Sequence, residues 1–297
     1  MGHGAQSGGV ATLDRRKPAN GKDVLREAGL PPGAEIQHSK FAALLGAING
    51  AQVTPDLHEA LKRLGAGSWE ASKLLDIATT AHAAATQNLF GVVFFGSARK
   101  PTHFPVIDEQ TGLLIDNCAD VIDFVVTGHG PGVMAVPIRH ARRHGIPSLG
   151  VPADIPAEHA IVGEGDEPNY ILPNLHMPAR KEVFLALGDV FVILPGGGGT
   201  FDEFGEIFVR AQLQRGFGGQ AAYPFLKRPC MPLVILVGKI WANFMDHVVE
   251  EMIREGTIRR DELPPIKVVR QIEELGTVGG QYIHEQVTLK KLNLPAS

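Results

Sequence analysis

The segment VILPGGGGTFDEF (192–204) sets four consecutive glycines behind an apolar run and two carboxylates, Asp202 and Glu203, behind the glycines. Glycines that follow a strand let backbone N–H groups approach an anion closely, and the next helix N-terminus adds positive potential. A phosphate gripped by Gly196, Gly197, Gly198, Gly199 and Thr200 would leave Glu203 one turn further on, near whatever carbon carries that phosphate. Acid–base or electrostatic chemistry at that carbon is one account of Glu203. The other is a capping box, with Thr200 at the N-cap and Glu203 at N3 of the apolar helix FGEIFVRAQL. A cap explains the acid but leaves the glycine run without a purpose.

Two further glycine-rich stretches, GSARK (96–100) and TGHGPG (127–132), stand in comparable places. All three follow short apolar runs: GVVFF (91–95), VIDFVV (121–126) and VFVIL (190–194). IPSLGV (146–151) and MPLVILVG (231–238) add two more strand-like runs, and helical stretches such as VMAVPIRHARRHG (133–145) and one near 241–255 alternate with them. That alternation predicts an α/β, Rossmann-like, doubly wound parallel sheet with helices on both faces. In such sheets the ligand crevice lies beyond the C-terminal strand ends, where Gly96, Gly128, Gly130, Gly132 and the 196–199 run all fall.

This domain is expected over 89–297. Residues 1–38, rich in Gly, Pro, Ala and charge and without a period, are predicted to be a disordered tail. Residues 39–88 carry apolar positions three and four apart, with Asp56 and Ser68 as caps, and are predicted to form a helical appendage. The long connection GFGGQAAYPFLKRP (216–229) suits a lid or an interface.

Composition narrows the function classes. A net charge of −4 offers no bulk attraction to nucleic acid or to an anionic membrane, and no window approaches a membrane span. Two distant cysteines, Cys118 and Cys230, without a CxxC pair suit a reducing cytoplasm and argue against structural zinc. GHGPGV (128–133) approaches a dinucleotide fingerprint, but Val133 stands where the third glycine belongs. VGKIW (237–241) lacks the hydroxyl residue of a P-loop, and neither Gly-x-Ser-x-Gly nor HExxH occurs. No metal or cofactor is expected.

PGGGGTFDE (195–203) matches the pattern PGGxGTxxE, and MPARK (177–181) resembles a companion motif MHxRK. VVFFGSARKP (92–101) and TGHGPGVM (127–134) are similar to FGSAR and TGGGPGIM loops. On these four co-linear motifs the chain resembles the Lonely guy (LOG) family of cytokinin-activating phosphoribohydrolases, once misnamed lysine decarboxylases, in its longer bacterial form. The likeness runs over about residues 90 to 260. It implies a Rossmann-like fold, a homodimer or higher homo-oligomer, and hydrolysis of the N-glycosidic bond of a nucleoside 5′-monophosphate.

The resemblance carries the catalytic pair onto Arg180 and Glu203. Substrate and phosphate contacts fall on Gly96, Ser97 and Arg99 of the first loop and on Gly128, Gly130, Gly132 and Met134 of the second. Lys181 and the run Gly196, Gly197, Gly198, Gly199 and Thr200 complete the set. Pro178 replaces the motif's histidine and His129 replaces a glycine. Cleaving the C1′–N bond builds positive charge on the ribose, which a carboxylate near C1′ stabilises while it takes a proton from water. A lysine decarboxylase is disfavoured, because nothing singles out a lysine for pyridoxal chemistry. The alternative from another class is a carrier or sensor, such as a molybdenum-cofactor carrier, that binds a phosphorylated ligand without turning it over.

Overall fold

The computed structural model describes residues 89–153, 163, 165–171, 177–216 and 231–293, with Ala11, Thr12 and Phe41. The predicted tail and helical appendage otherwise lie outside these residues, as does nearly all of the 216–229 connection.

Eight parallel strands form one sheet: β1 (Ala11–Thr12), β2 (Gly91–Phe95), β3 (Phe124–Thr127), β4 (Ser148–Gly150), β5 (Tyr170–Ile171), β6 (Val190–Ile193), β7 (Leu233–Val237) and β8 (Ile266–Val269). Their spatial order is β1-β5-β4-β3-β2-β6-β7-β8. The chain thus winds outward from β2 through β3, β4 and β5, then returns beside β2 and winds the other way through β6, β7 and β8. The reversal between β2 and β6 is the topological switch point, where a crevice opens at the strand ends.

The central strands read as unbroken apolar runs because both sheet faces are covered. Every residue of β2, β6 and β7 is buried. Period-two alternation sends Val93, Phe95, Phe191 and Ile193 into one core with Phe184, Phe204 and Trp241, and sends Val92, Phe94, Val190 and Val192 into the other with Ile107, Leu114 and Ile115. The helices that complete these layers are α1 (Phe104–Cys118), α2 (Val136–Arg143), α3 (Met177–Leu187) and α4 (Gly198–Gly216). Beyond β7 a helix runs as α5 (Lys239–Asn243), a π-helical segment (Phe244–Val249) and α6 (Glu250–Arg254), and α7 (Gly280–Asn293) follows β8. Phe41 packs its ring on Phe124 and Tyr170 at 4.9 and 5.2 Å.

The five predicted strands are present: the first has its predicted bounds, the second runs Phe124–Thr127 rather than from Val121, and the other three are trimmed. β1, which falls within the predicted tail, and β5 and β8 escaped the sequence reading. β5 has two residues, and β8 is an edge strand whose IKVV is only partly buried, so neither makes a long apolar run.

At the opposite end of the sheet α7 is anchored by a buried cation. Lys290 Nζ donates to the Leu89 carbonyl at 2.6 Å and pairs with Asp189 at 3.0 Å, and the same carboxylate accepts from the Gly91 N–H. These contacts hold β2 at its N-terminal end, opposite the cleft.

Candidate active site

The loops after β2 and β6 flank the switch point and, with residues from the β3 and β4 ends, line a cleft of about 340 Å³. Gly96, Ser97, Ala98 and Arg99 contribute from the first loop, and Met134 and Ala153 from beyond β3 and β4. Arg180 enters from α3, and Gly197, Gly198, Gly199, Thr200 and Glu203 enter from the N-terminal end of α4. The first two loops are locked together: the Val133 N–H donates to the Ser97 carbonyl at 2.9 Å, and the Arg99 N–H donates to Ser97 Oγ at 3.0 Å.

At the floor of the cleft Arg180 Nη1 lies 3.2 Å from Glu203 Oε1, and both side chains are less than a tenth exposed. Arg180 is fixed from several sides. Its Nε donates to the Val151 carbonyl at 2.7 Å and its Nη2 to the Gly128 carbonyl at 3.3 Å, while the Phe184 ring lies 5.1 Å from the guanidinium carbon. Carbonyls beyond two strand ends thus aim a planar donor fork at one carboxylate. Arg180 is thus a buried, partnered cation and not a solvated one at a helix start.

The glycines divide into two groups. A Cβ on Gly128 would stand 2.0 Å from Arg180 Nη2, and one on Gly130 would stand 2.0 Å from the Met134 methyl. Gly132, at φ 70°, lies against the Ala98 and Arg99 backbone. These residues, with Gly196 behind Thr200, support the cleft without lining it. Gly197, Gly198 and Gly199 are exposed, and a Cβ on any of them would meet nothing within 4 Å. Packing does not demand glycine there.

The capping box does not form. α4 begins at Gly198, and the Phe201 N–H donates to the Gly197 carbonyl at 3.0 Å, which makes Gly197 the N-cap. Thr200 is the third helical residue and Glu203 lies in the second turn, too far along to reach back to the cap. The glycines themselves are the helix start, and the orphan N–H groups of its first turn belong to glycines and Thr200. His129, which replaces a motif glycine, holds φ at 55°, a left-handed conformation costly for a side-chain-bearing residue.

Lys181 does not line the cleft. Its Nζ lies 3.1 Å from Asp202 Oδ1 and 3.2 Å from Glu206 Oε2, and Arg210 Nε holds the other Glu206 oxygen at 2.7 Å. Burial opposes charging Glu206, but the hydrogen bonds and charges of Arg210 and Lys181 outweigh it and hold that carboxyl below its usual range. For Lys181 burial acts downward, and Asp202 and Glu206 more than reverse it, so its ammonium is raised. Sequence reasoning missed Val151, Phe184, Glu206 and Arg210. The Val151 carbonyl carries no sequence signal, whereas Glu206 and Arg210 stand at the i, i+4 spacing of a helical ion pair. Cys118 is no nucleophile: burial first, and Asp120 second, push its thiol up to about 12. Among the described residues no three His, Cys, Asp or Glu side chains cluster as metal ligands, and no helix is long and apolar enough to cross a membrane.

The architecture is an α/β Rossmann-like fold with a charged pair at its switch point. Residues 134–277 match the family model described as possible lysine decarboxylase, the older description of the Lonely guy family. The match takes in both the Arg180–Lys181 dipeptide and the 195–203 motif. No match is found among the curated proteins. Among solved structures, the chain is similar to a molybdenum cofactor binding protein from the phototrophic bacterium Rippkaea orientalis. Identity is 17%, 66% of this chain and 96% of that one are covered, and the TM-score is 0.40. DNA processing protein A from Streptococcus pneumoniae is 15% identical over 68% of this chain and 62% of that one, with a TM-score of 0.38.

Proposed function

We propose that the protein hydrolyses the N-glycosidic bond of a nucleoside 5′-monophosphate, of the cytokinin riboside monophosphate or AMP type, to free base and ribose 5-phosphate. The observation that carries this reading is the buried Arg180–Glu203 pair, set one helical turn beyond a glycine-built helix start in a common cleft. Open space at Gly198 and Gly199 leaves room for phosphate oxygens against the orphan N–H groups of α4, with Thr200 as a further donor. Ser97 and Arg99 line the opposite wall. Phosphate held there brings the ribose towards Glu203, so that binding energy far from the reacting bond positions it.

As the C1′–N bond lengthens, its electron pair leaves with the base and the ribose acquires oxocarbenium character. The Glu203 carboxylate stabilises that charge and takes one proton from the water whose oxygen bonds to C1′. The departing base nitrogen takes up one proton from solvent and Glu203 later releases the one it accepted, so the cycle consumes one water. Arg180, tied to Val151 and Gly128, fixes the carboxylate through the approach of the substrate. A carboxylate beside an anion site has little use in a pure carrier, which favours turnover over storage.

The proposal includes a cytoplasmic homodimer or higher homo-oligomer. Phe201, 46% exposed and stacked on Trp241 beside the cleft, and Ile240, 57% exposed, supply apolar surface for such contact. Incubation with a panel of purine and pyrimidine nucleoside 5′-monophosphates, followed by chromatography of released base, tests the reaction. Base with equimolar ribose 5-phosphate is expected. Tight binding of a nucleotide without release would instead identify a carrier.

A further inference from the structure

We propose that Lys181 is a positioning residue, which clamps α3 to α4 through Asp202 and Glu206 and thereby keeps Arg180 on Glu203, rather than a ligand to phosphate. The inference rests on the hydrolytic reading of the Arg180–Glu203 pair. Consecutive residues of α3 reach α4 side by side: Arg180 takes Glu203, and Lys181 bridges Asp202 and Glu206, which are one turn apart on α4. Three carboxylates therefore crowd the first three turns of α4 within reach of two α3 cations. With Lys181 in place, Asp202 and Glu206 are satisfied, and Arg210 secures the far oxygen of Glu206. Without it, both acids lose their α3 partner and compete for the Arg180 guanidinium.

The placement of Lys181 supports the same role. Its side chain is 17% exposed and its ammonium is occupied by two carboxylates, so a phosphate would have to displace them. Gly197, Gly198, Gly199, Thr200 and Glu203 line the cleft with Arg180, and Lys181 does not.

The test compares wild type with Lys181→Met, Lys181→Arg and Glu206→Gln in base release, in ribose 5-phosphate titration and in thermal melting. Lys181→Met is expected to lower kcat by at least about tenfold while the Kd for ribose 5-phosphate stays within about threefold, because misplacing a reacting group costs turnover rather than binding. Lys181→Arg, which can still bridge two acids, should recover most of kcat. Glu206→Gln should lose part of kcat with unchanged Kd. A rise in Kd of about tenfold or more in Lys181→Met, with kcat at saturation intact, overturns the proposal and makes Lys181 a phosphate ligand. Unchanged kcat and Kd also overturn it. If the wild-type protein releases no base from any nucleoside monophosphate, the hydrolytic reading fails separately. The clamp is then decided by melting of Lys181→Met, Arg180→Met and the double variant: non-additive shifts uphold it, and additive shifts refute it.

Discussion

Substituting Gly128 by alanine tests whether the cleft depends on the close approach of backbone to the Arg180 guanidinium. Gly128 does not have a positive φ, so alanine is compatible with its backbone and the perturbation is steric. The added Cβ would lie 2.0 Å from Arg180 Nη2 and 2.8 Å from Met134 Sδ. Ordinary contact requires the guanidinium to retreat by roughly 1.4 Å, and a shift of that size breaks at least one charged hydrogen bond, to Gly128, Val151 or Glu203. Loss of such a bond costs about 1.5–3 kcal/mol, and overpacking adds a comparable term. For a domain of this size a total of about 3–6 kcal/mol corresponds to a fall in Tm of roughly 6–24 °C. Displacement of a catalytic group by about 1 Å costs on the order of 10²-fold in turnover. Calorimetry and the base-release assay read the two effects on one preparation. Wild-type Tm and turnover in Gly128→Ala would refute the idea that this glycine exists to admit Arg180.

Three other outcomes are expected. Lys290→Met leaves Asp189 buried without its cation and should cost about 3 kcal/mol, seen as a lower urea midpoint with an unchanged slope, whereas an unchanged midpoint would mean the pair is not what anchors α7. His129→Gly should raise Tm by relieving about 1 kcal/mol of left-handed strain, and a fall in Tm would show that the imidazole's packing outweighs that strain. Glu206, whose folded pKa is depressed, contributes stability that is present above the usual carboxylate pKa and lost as pH falls through its lowered folded value. The Tm difference between wild type and Glu206→Gln should therefore be constant at neutral pH and shrink below about pH 4.3, and a pH-independent difference would contradict the clamp.

The central strands and three glycine loops were legible because both signals are local. A strand buried on both faces must be apolar throughout, and a loop at a strand end that bends sharply or admits another group closely must be glycine-rich. What stayed hidden depends on distant pairing. β5 and β8 are too short or too exposed to announce themselves. The support for Arg180 comes from the carbonyls of Val151 and Gly128, and a backbone carbonyl carries no sequence signal of its partner. The capping box is a local pattern that loses to a helix start three residues earlier. Four glycines gave no side-chain cue to where the first turn begins, and only the Phe201–Gly197 hydrogen bond fixes it. Lys181 stood in the family motif beside Arg180, but its partners, Asp202 and Glu206, become visible only when α3 and α4 are brought together.

The roles of the paired residues meet in Glu203→Gln. Glutamine keeps an oxygen that can accept from Arg180 but removes the charge that the developing ribose cation requires. Base release from the preferred nucleoside 5′-monophosphate is measured at saturation, beside ribose 5-phosphate titration to establish that the cleft is intact. Turnover should fall by at least about 10²-fold, the scale of losing a general base, while the Kd for ribose 5-phosphate stays within about tenfold. Near-normal base release from Glu203→Gln with an intact cleft would contradict the account, because the carboxylate would then have no part in the chemistry.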